Sequence, residues 1–257
     1  MNKQAKRAYL AWLAVIAIIT SGLACNTITG RVALPSSDSI RGSGNLASER
    51  REIGEVSRVE LQGTGDLEVR FGDNYALEIT ADDNLLEYLE TTTTGNTLVI
   101  RTRENTNITP SEGIRYTLTA PFLEAVSIQG IGNVSIPEME TNYLTLEISG
   151  MGDIEINSLA AIELECRING MGNIKIGSGK VERVILAING SGNIDVENVE
   201  SEQVDISIPG AGNVRAWATE SLYVTIAGSG QVDYYGSPEE TSISTPGSGS
   251  VNELGEK

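Results

Sequence analysis

Apolar and polar residues alternate with a period of two along most of this chain, and the alternation itself recurs about every twenty residues. Each repeat contains Gly-x-Gly and a small polar residue, and the seven copies from Gly130 onward are spaced by 20, 20, 20, 20, 18 and 19 residues. With the first glycine as place one, apolar residues fill the fifth, seventh, fifteenth, seventeenth and nineteenth places. In one repeat these are Ile154, Ile156, Leu164, Cys166 and Ile168.

This period predicts an all-β fold, a parallel β-solenoid or β-helix in which coils of about twenty residues stack and share one dry interior. Strand side chains alternate between two faces, so an even step returns like residues to the same face. Odd places are therefore expected to point inward. Cys166 stands where Leu146 and Leu186 stand in neighbouring repeats, which predicts a buried core residue rather than half of a disulfide.

The chain divides into regions of different pattern. Residues 55–129 contain shorter alternating runs, which predict N-terminal β-strands capping one end of a solenoid formed by residues 130–255. The polar tail from Gly247 is expected to blunt the other end. Residues 25–54 are polar and predict an extended tether, although Gly42-Ser43-Gly44-Asn45 is also consistent with an early coil.

The Gly-x-Gly copies are predicted to be the corners of the coils. Glycine is expected there because a side chain would meet the opposite wall, or because the bend needs a positive φ. The Asn or Asp at the fourth place would satisfy backbone groups and stack into an amide ladder. The predicted corner residues are Gly130, Gly132, Asn133, Gly150, Gly152, Asp153, Gly170, Gly172, Asn173, Gly190, Gly192, Asn193, Gly210, Gly212 and Asn213.

The second place of the motif offers a candidate partner surface. Ile131, Met151 and Met171 occupy it in three consecutive copies, and Ser or Ala follows in the later ones. By parity these three side chains point outward and form an apolar ridge near the N-terminal strands. The ridge is either covered by those strands or exposed as a site for a partner.

The composition limits which partners and which catalytic groups the chain can have. The chain has 35 acidic and 18 basic residues, a net charge of −17, and no histidine. The charge disfavours nucleic acid as a partner, and the absence of histidine removes the commonest general base and metal ligand. Calcium is disfavoured at the corners because most copies carry neutral Asn, so neither metal nor cofactor is expected.

An enzyme acting on polysaccharides is a further alternative, because such enzymes also use stacked parallel coils with paired carboxylates. The outward sixth-place residues mix charge signs instead of concentrating acids, which favours a solvated face. These residues are Ser135, Glu155, Lys175, Asp195, Arg215 and Asp233.

The N-terminus carries an export pattern. Lys3, Lys6 and Arg7 precede an apolar run, and small residues lead to Cys25, so residues 1–24 are similar to a bacterial lipoprotein signal peptide with Cys25 as the lipidated residue. Plain secretion and an uncleaved anchor remain open. All three place the rest of the chain outside the cytoplasm, and two of them attach it to a membrane.

With these motifs in place, the chain resembles the bacterial family of head GIN domain proteins, described as "putative auto-transporter adhesin". The resemblance rests on the repeated Gly-x-Gly-Asn-Ile/Val, on Asp83-Asn84-Leu85-Leu86, on Asn96-Thr97-Leu98-Val99-Ile100 and on the join from Leu123 to Gly132. It covers about residues 50–255 and implies an all-β solenoid at the cell surface, with no catalytic residues.

The sequence therefore predicts a noncatalytic protein of the cell envelope that binds or spaces an envelope glycan or protein. A self-assembling scaffold that stacks end to end is the alternative. The polysaccharide-acting enzyme ranks third.

Overall fold

A computed structural model describes residues 39–257, which form one compact unit. The predicted signal peptide, Cys25 and the tether as far as Asp38 lie outside the described residues. Within the described part, nineteen strands and one short 3-10 helix, Leu86–Tyr88, follow one another along the chain. The strands are β1 Ile40–Arg41, β2 Leu46–Arg51, β3 Arg58–Leu61, β4 Asp66–Phe71, β5 Ala76–Asp82, β6 Leu89–Thr94, β7 Thr97–Thr102, β8 Ile108–Thr109, β9 Arg115–Ala120, β10 Ala125–Ile128, β11 Val134–Ile148, β12 Met151–Ile168, β13 Met171–Ile176, β14 Gly179–Ile188, β15 Ser191–Ile208, β16 Ala211–Ile226, β17 Ser229–Tyr235, β18 Glu240–Ser244 and β19 Ser248–Gly255.

The strands from β10 to β19 stack in parallel, and the predicted solenoid is confirmed. Ile154 pairs with Val134 on one side and with Ile174 on the other, each twenty residues away. Ile194, Val214 and Val232 continue this row, and all six side chains are at most 1% exposed. Burying such a row removes apolar surface from water in every coil, which is what holds the stack together.

The inward rule is more elaborate than the predicted one. The side chains at the fifth, seventh, fifteenth, seventeenth and nineteenth places point inward, as predicted. Between the seventh and the fifteenth places, however, the buried side chains stand at the even tenth and twelfth places, as do Leu159, Val181 and Val199. The expectation that every odd place points inward was therefore wrong. Each change of parity marks a bend in the coil, so the interior is lined by three strips of side chains rather than two.

The corner glycines are required by the coil stacked beneath them rather than by the opposite wall. A Cβ on Gly150 would lie 2.0 Å from the carbonyl oxygen of Gly130, and one on Gly152 would lie 1.7 Å from that of Gly132. Gly152 also has a φ of +146°, which L side chains rarely adopt. The positive-φ explanation therefore holds at this second glycine, and close backbone approach explains both.

The solenoid begins before Gly130. Strands β3 and β4 pair in parallel with β10 and β11, so they belong to the stack instead of forming a separate cap. Thr64 pairs with Ile131, which makes Gly63-Thr64-Gly65-Asp66 an additional corner. Antiparallel pairs close this end, with β6 on β7, β5 on β9 and β2 on β5.

The last part of the predicted tether is structured. Strand β2 pairs antiparallel with β5, and β1 pairs with β8, so residues 40–51 form neither a free tether nor an early coil. The buried carboxylate of Asp82 holds the connecting loop, because it accepts hydrogen bonds from the backbone N–H groups of Gly44 at 2.7 Å and Ser111 at 2.9 Å. The polar composition of β2 hid this strand, which lies at a sheet edge.

The C-terminal tail adds one more rung. Strand β19 pairs in parallel with β17, and the Lys257 ammonium lies 4.5 Å from the centre of the Tyr235 ring. Within residues 39–257, β18 pairs only with β16 and β19 only with β17, so each presents a free edge. Instead of blunting the stack as a loose polar segment, the tail therefore continues it.

Candidate functional site

The predicted ridge lies in the open on the Gly-x-Gly corner. Ile131 is 50% exposed, Met151 43% and Met171 56%, and backbone pairing places them in consecutive coils. Ser191 continues the row beyond Met171, so the ridge ends where the sequence changes to a small polar residue. The N-terminal strands do not cover these side chains, so the alternative in which those strands bury the ridge is wrong.

A ladder of polar side chains runs along one flank of the ridge. Asn193 donates through Nδ2 to the Oδ1 of Asn173 at 2.8 Å, and Asn213 donates to Asn193 at 3.0 Å. Asn173 in turn donates to the carboxylate of Asp153 at 2.8 Å. The amide oxygens also accept backbone N–H groups from the next coil, as Asn193 does from Asn213 at 3.2 Å. The corner ladder therefore satisfies backbone groups and links each coil to the next, as the sequence predicted.

A second ladder on the opposite flank was missed. Asn189 donates through Nδ2 to the Oδ1 of Asn169 at 2.7 Å, and Asn169 donates to Glu147 at 2.8 Å. Ser149 also donates to Glu147, at 2.7 Å. The sequence contains the pattern that predicts this ladder, because Ser149, Asn169 and Asn189 all occupy the twentieth place of their repeats. The two ladders fix the backbone on both sides of the ridge, so its apolar side chains project from a rigid base.

The sixth-place residues form a charged face next to the corner. Glu155, Lys175, Asp195 and Arg215 pair in register along the stack, and the Lys175 ammonium lies 3.9 Å from the Glu155 carboxylate. Both of these side chains are more than half exposed. Alternating charges in contact with water contribute little to stability and bring no two acids together for catalysis.

Two titratable groups with shifted pKa values, Cys166 and Asp82, belong to the packed fold. Burial raises the pKa of the Cys166 thiol, which is fully buried as predicted and is a free cysteine. The side-chain hydrogen bond from Ser111 lowers the pKa of Asp82, and the backbone N–H groups act in the same direction. A thiol held protonated in a dry core is a poor nucleophile.

Metal ligands do not converge in the part of the chain that the structure describes. Among residues 39–257, no group of three or more His, Cys, Asp or Glu side chains is placed to hold an ion. Asp153 is the only carboxylate in the corner ladder from Asn133 to Asn213, and it accepts a side-chain hydrogen bond from Asn173.

Helices contribute almost nothing to this fold. Over residues 39–257, none is long and apolar enough to cross a membrane.

Stacked twenty-residue coils, glycine corners and an asparagine ladder define this chain as a parallel β-solenoid of the Gly-x-Gly-Asn type. The chain belongs to the family described as "Putative auto-transporter adhesin, head GIN domain", which matches residues 56–238. The family assignment made from the sequence is thereby confirmed. The family description implies an exported or cell-surface protein.

Solved structures share the architecture. A "putative adhesin" from Bacteroides fragilis NCTC 9343 is 26% identical, covers 84% of this chain and 100% of its own, and superposes with a TM-score of 0.81. A "putative adhesin" from Parabacteroides merdae ATCC 43184 is 20% identical, with coverages of 84% and 99% and a TM-score of 0.61.

A third structure carries a different name. It is a "putative lipid binding protein" from Parabacteroides distasonis ATCC 8503, 21% identical, with coverages of 84% and 99% and a TM-score of 0.62. At this identity the likeness shows the fold alone. None of the curated proteins matches the chain.

Proposed function

We propose that this protein is a noncatalytic binding module of the bacterial cell envelope that engages a glycan or protein ligand through the ridge of Ile131, Met151 and Met171. The observation that carries the proposal is the exposure of these three side chains. Exposed apolar side chains cost free energy in water unless a partner covers them, and here the sequence returns to Ser and Ala at the same place in later coils.

The rigidity of the corner supports a binding role. Ladders on both flanks hold the backbone under the ridge, so little conformational entropy is lost when a partner docks. The name of the Bacteroides fragilis relative, a "putative adhesin", agrees with a role in surface attachment. Lipidation of Cys25, or an uncleaved N-terminal segment, would anchor the module to a membrane.

End-to-end self-assembly is the second candidate, and the free edges of β18 and β19 favour it. An unpaired edge offers backbone donors and acceptors to a strand of another copy. Ile243 on β18 is 46% exposed at this end. Light scattering at increasing protein concentration tests this candidate, and a strict monomer at high concentration would exclude it.

The ridge is tested with the purified chain on a glycan array and on immobilised envelope fractions. Replacing Ile131, Met151 and Met171 together by Ser gives each position a residue that the same row already uses at Ser191. We expect bound protein to fall at least about tenfold, because the contact would lose its apolar area.

Leu46→Ser is the control for loss of an exposed apolar side chain, since Leu46 is 48% exposed on β2, which pairs with β5 rather than with a strand of the ridge. It should bind like the unaltered chain. No ligand above background on either support, or equal binding by the ridge variant, would reject the proposal.

A further inference from the structure

A groove lies at a different corner of the solenoid, around the eleventh to fourteenth places of the coils. Its volume is about 940 Å3, and it is open to solvent along one side. One column of its lining has a residue every twenty positions: Phe122, Asn142, Ile162, Glu182 and Glu202. With about 4.8 Å between stacked coils, four steps give a length of about 19 Å.

The two halves of the groove differ in apolar content, because the large apolar side chains of the lining lie in only one of them. Phe122, Tyr143 and Ile162 are 43%, 61% and 42% exposed and occupy one half. Ala160 and Ala161 lie beside them in the lining, and their short side chains leave room above the sheet. This half offers an aromatic and aliphatic surface to a partner.

Carboxylates lie along the whole groove: Glu124 and Glu140 line the same half as the apolar side chains, and Glu182 and Glu202 line the other half. Glu182 and Glu202 form no ion pair within residues 39–257, and Lys180 is the one basic residue of the lining. The ammonium of Lys180 lies 2.9 Å from Glu200, so its charge is already offset by a carboxylate outside the lining. The half with Glu182 and Glu202 lacks large apolar side chains, and the lining as a whole has a net negative charge available to a cationic partner.

We propose that this groove binds an extended cationic peptide segment with an aromatic or aliphatic side chain at one end and Lys or Arg at the other. The apolar side chain would pack against Phe122, Tyr143 and Ile162, and the basic side chains would pair with Glu182 and Glu202. A length of about 19 Å accommodates about six extended residues. This site is separate from the ridge and does not depend on the function proposed for it.

The test uses fluorescence anisotropy with the purified chain and a labelled hexapeptide, Leu-Phe-Ser-Ser-Lys-Lys. We expect saturable binding that weakens as salt is raised. Glu182→Gln with Glu202→Gln, which keeps the side-chain shape, should raise the Kd at least tenfold. Tyr143→Ser with Ile162→Ser should raise it at least fivefold.

Glu239→Gln with Glu256→Gln is the matched control, because it removes two exposed charges elsewhere and changes the net charge equally. It should leave the Kd within twofold. Equal weakening by this control, equally tight binding of a hexapeptide of Lys and Ser alone, or no binding would each overturn the proposal. A shift from dimer to monomer in the groove variants would overturn it too, because the occupant would then be a second copy.

Discussion

The Gly-x-Gly corner and the groove corner bend the same coils, yet they are built differently. At the first corner, backbone contacts backbone at the two glycine places, and these places keep glycine from coil to coil, as Gly150 and Gly152 show. The outward second place between them varies. At the groove corner, the column changes from Phe122 to Ile162 to Glu182. Close approach of main chains fixes residue type, whereas a corner made by side chains facing water leaves it free to vary.

The strongest test of this contrast is Gly152→Val. Its Cβ would lie 1.7 Å from a backbone oxygen at a φ of +146°, so we expect loss of more than about 4 kcal/mol of stability, or failure to fold. Urea denaturation followed by circular dichroism measures the change. Gly113→Val is the control, because a Cβ there meets no atom within 4 Å. Similar stability of the two variants would contradict the backbone-contact account.

The next test compares two isoleucines of one coil. Ile154 is fully buried and Ile162, at the groove, is 42% exposed. Ile154→Ala should cost about 2–5 kcal/mol because it leaves a cavity in the shared interior. Ile162→Ala should change stability by less than about 0.5 kcal/mol. Denaturant midpoints for both variants check this, and a cost of several kcal/mol at Ile162 would show that the groove corner is part of the core.

A smaller effect is expected from the corner ladder. Asn173→Ala removes the donor to Asp153 and the acceptor for Asn193, and should cost about 1 kcal/mol. Asn142→Ala, at an exposed position of the groove corner, should be within about 0.3 kcal/mol of the unaltered chain. Thermal melts resolve this difference. Equal melting temperatures for the two variants would mean that the ladder contributes only geometry.

The smallest expected effect is on the stability of the fold in acid, and it concerns Asp82, which belongs to neither corner. Hydrogen bonds hold the pKa of Asp82 below its ordinary value, so its stabilisation is complete above the unfolded pKa of about 3.9 and is lost as pH falls through the lower folded pKa. Asp82→Asn should therefore flatten the fall in melting temperature between pH 4 and pH 2. Variants at either corner should keep the full acid sensitivity, and an unchanged acid profile in Asp82→Asn would refute this assignment.

Much of the fold was predictable because the coil stack repeats one set of local rules. The buried row through Ile154 and the glycine corners follow from spacing alone. The parity change that buries Leu159 and Val181 was missed, because no residue type recurs at that bend. Its eighth place is Pro137, Asn157, Gly177 and Glu197 in successive coils. Strand β2 was missed because an edge strand exposed to water has no alternation of apolar residues.

The candidate sites divide in the same way. The ridge was predicted, since Ile131, Met151 and Met171 stand at one place of an obvious motif, but its exposure depended on where the N-terminal strands pack. The groove was not predicted, because its members change chemistry along the column and only their twenty-residue spacing connects Phe122 with Glu202.

The sequence by itself determined the twenty-residue period, the inward rows and the glycine corners, since each follows from strand alternation and from the small size of glycine. Only the tertiary structure decided which end is closed, which apolar residues stay in water, and which distant carboxylates face one groove. Those outcomes depend on contacts between segments far apart in the chain, and the local pattern of residues carries no record of such contacts.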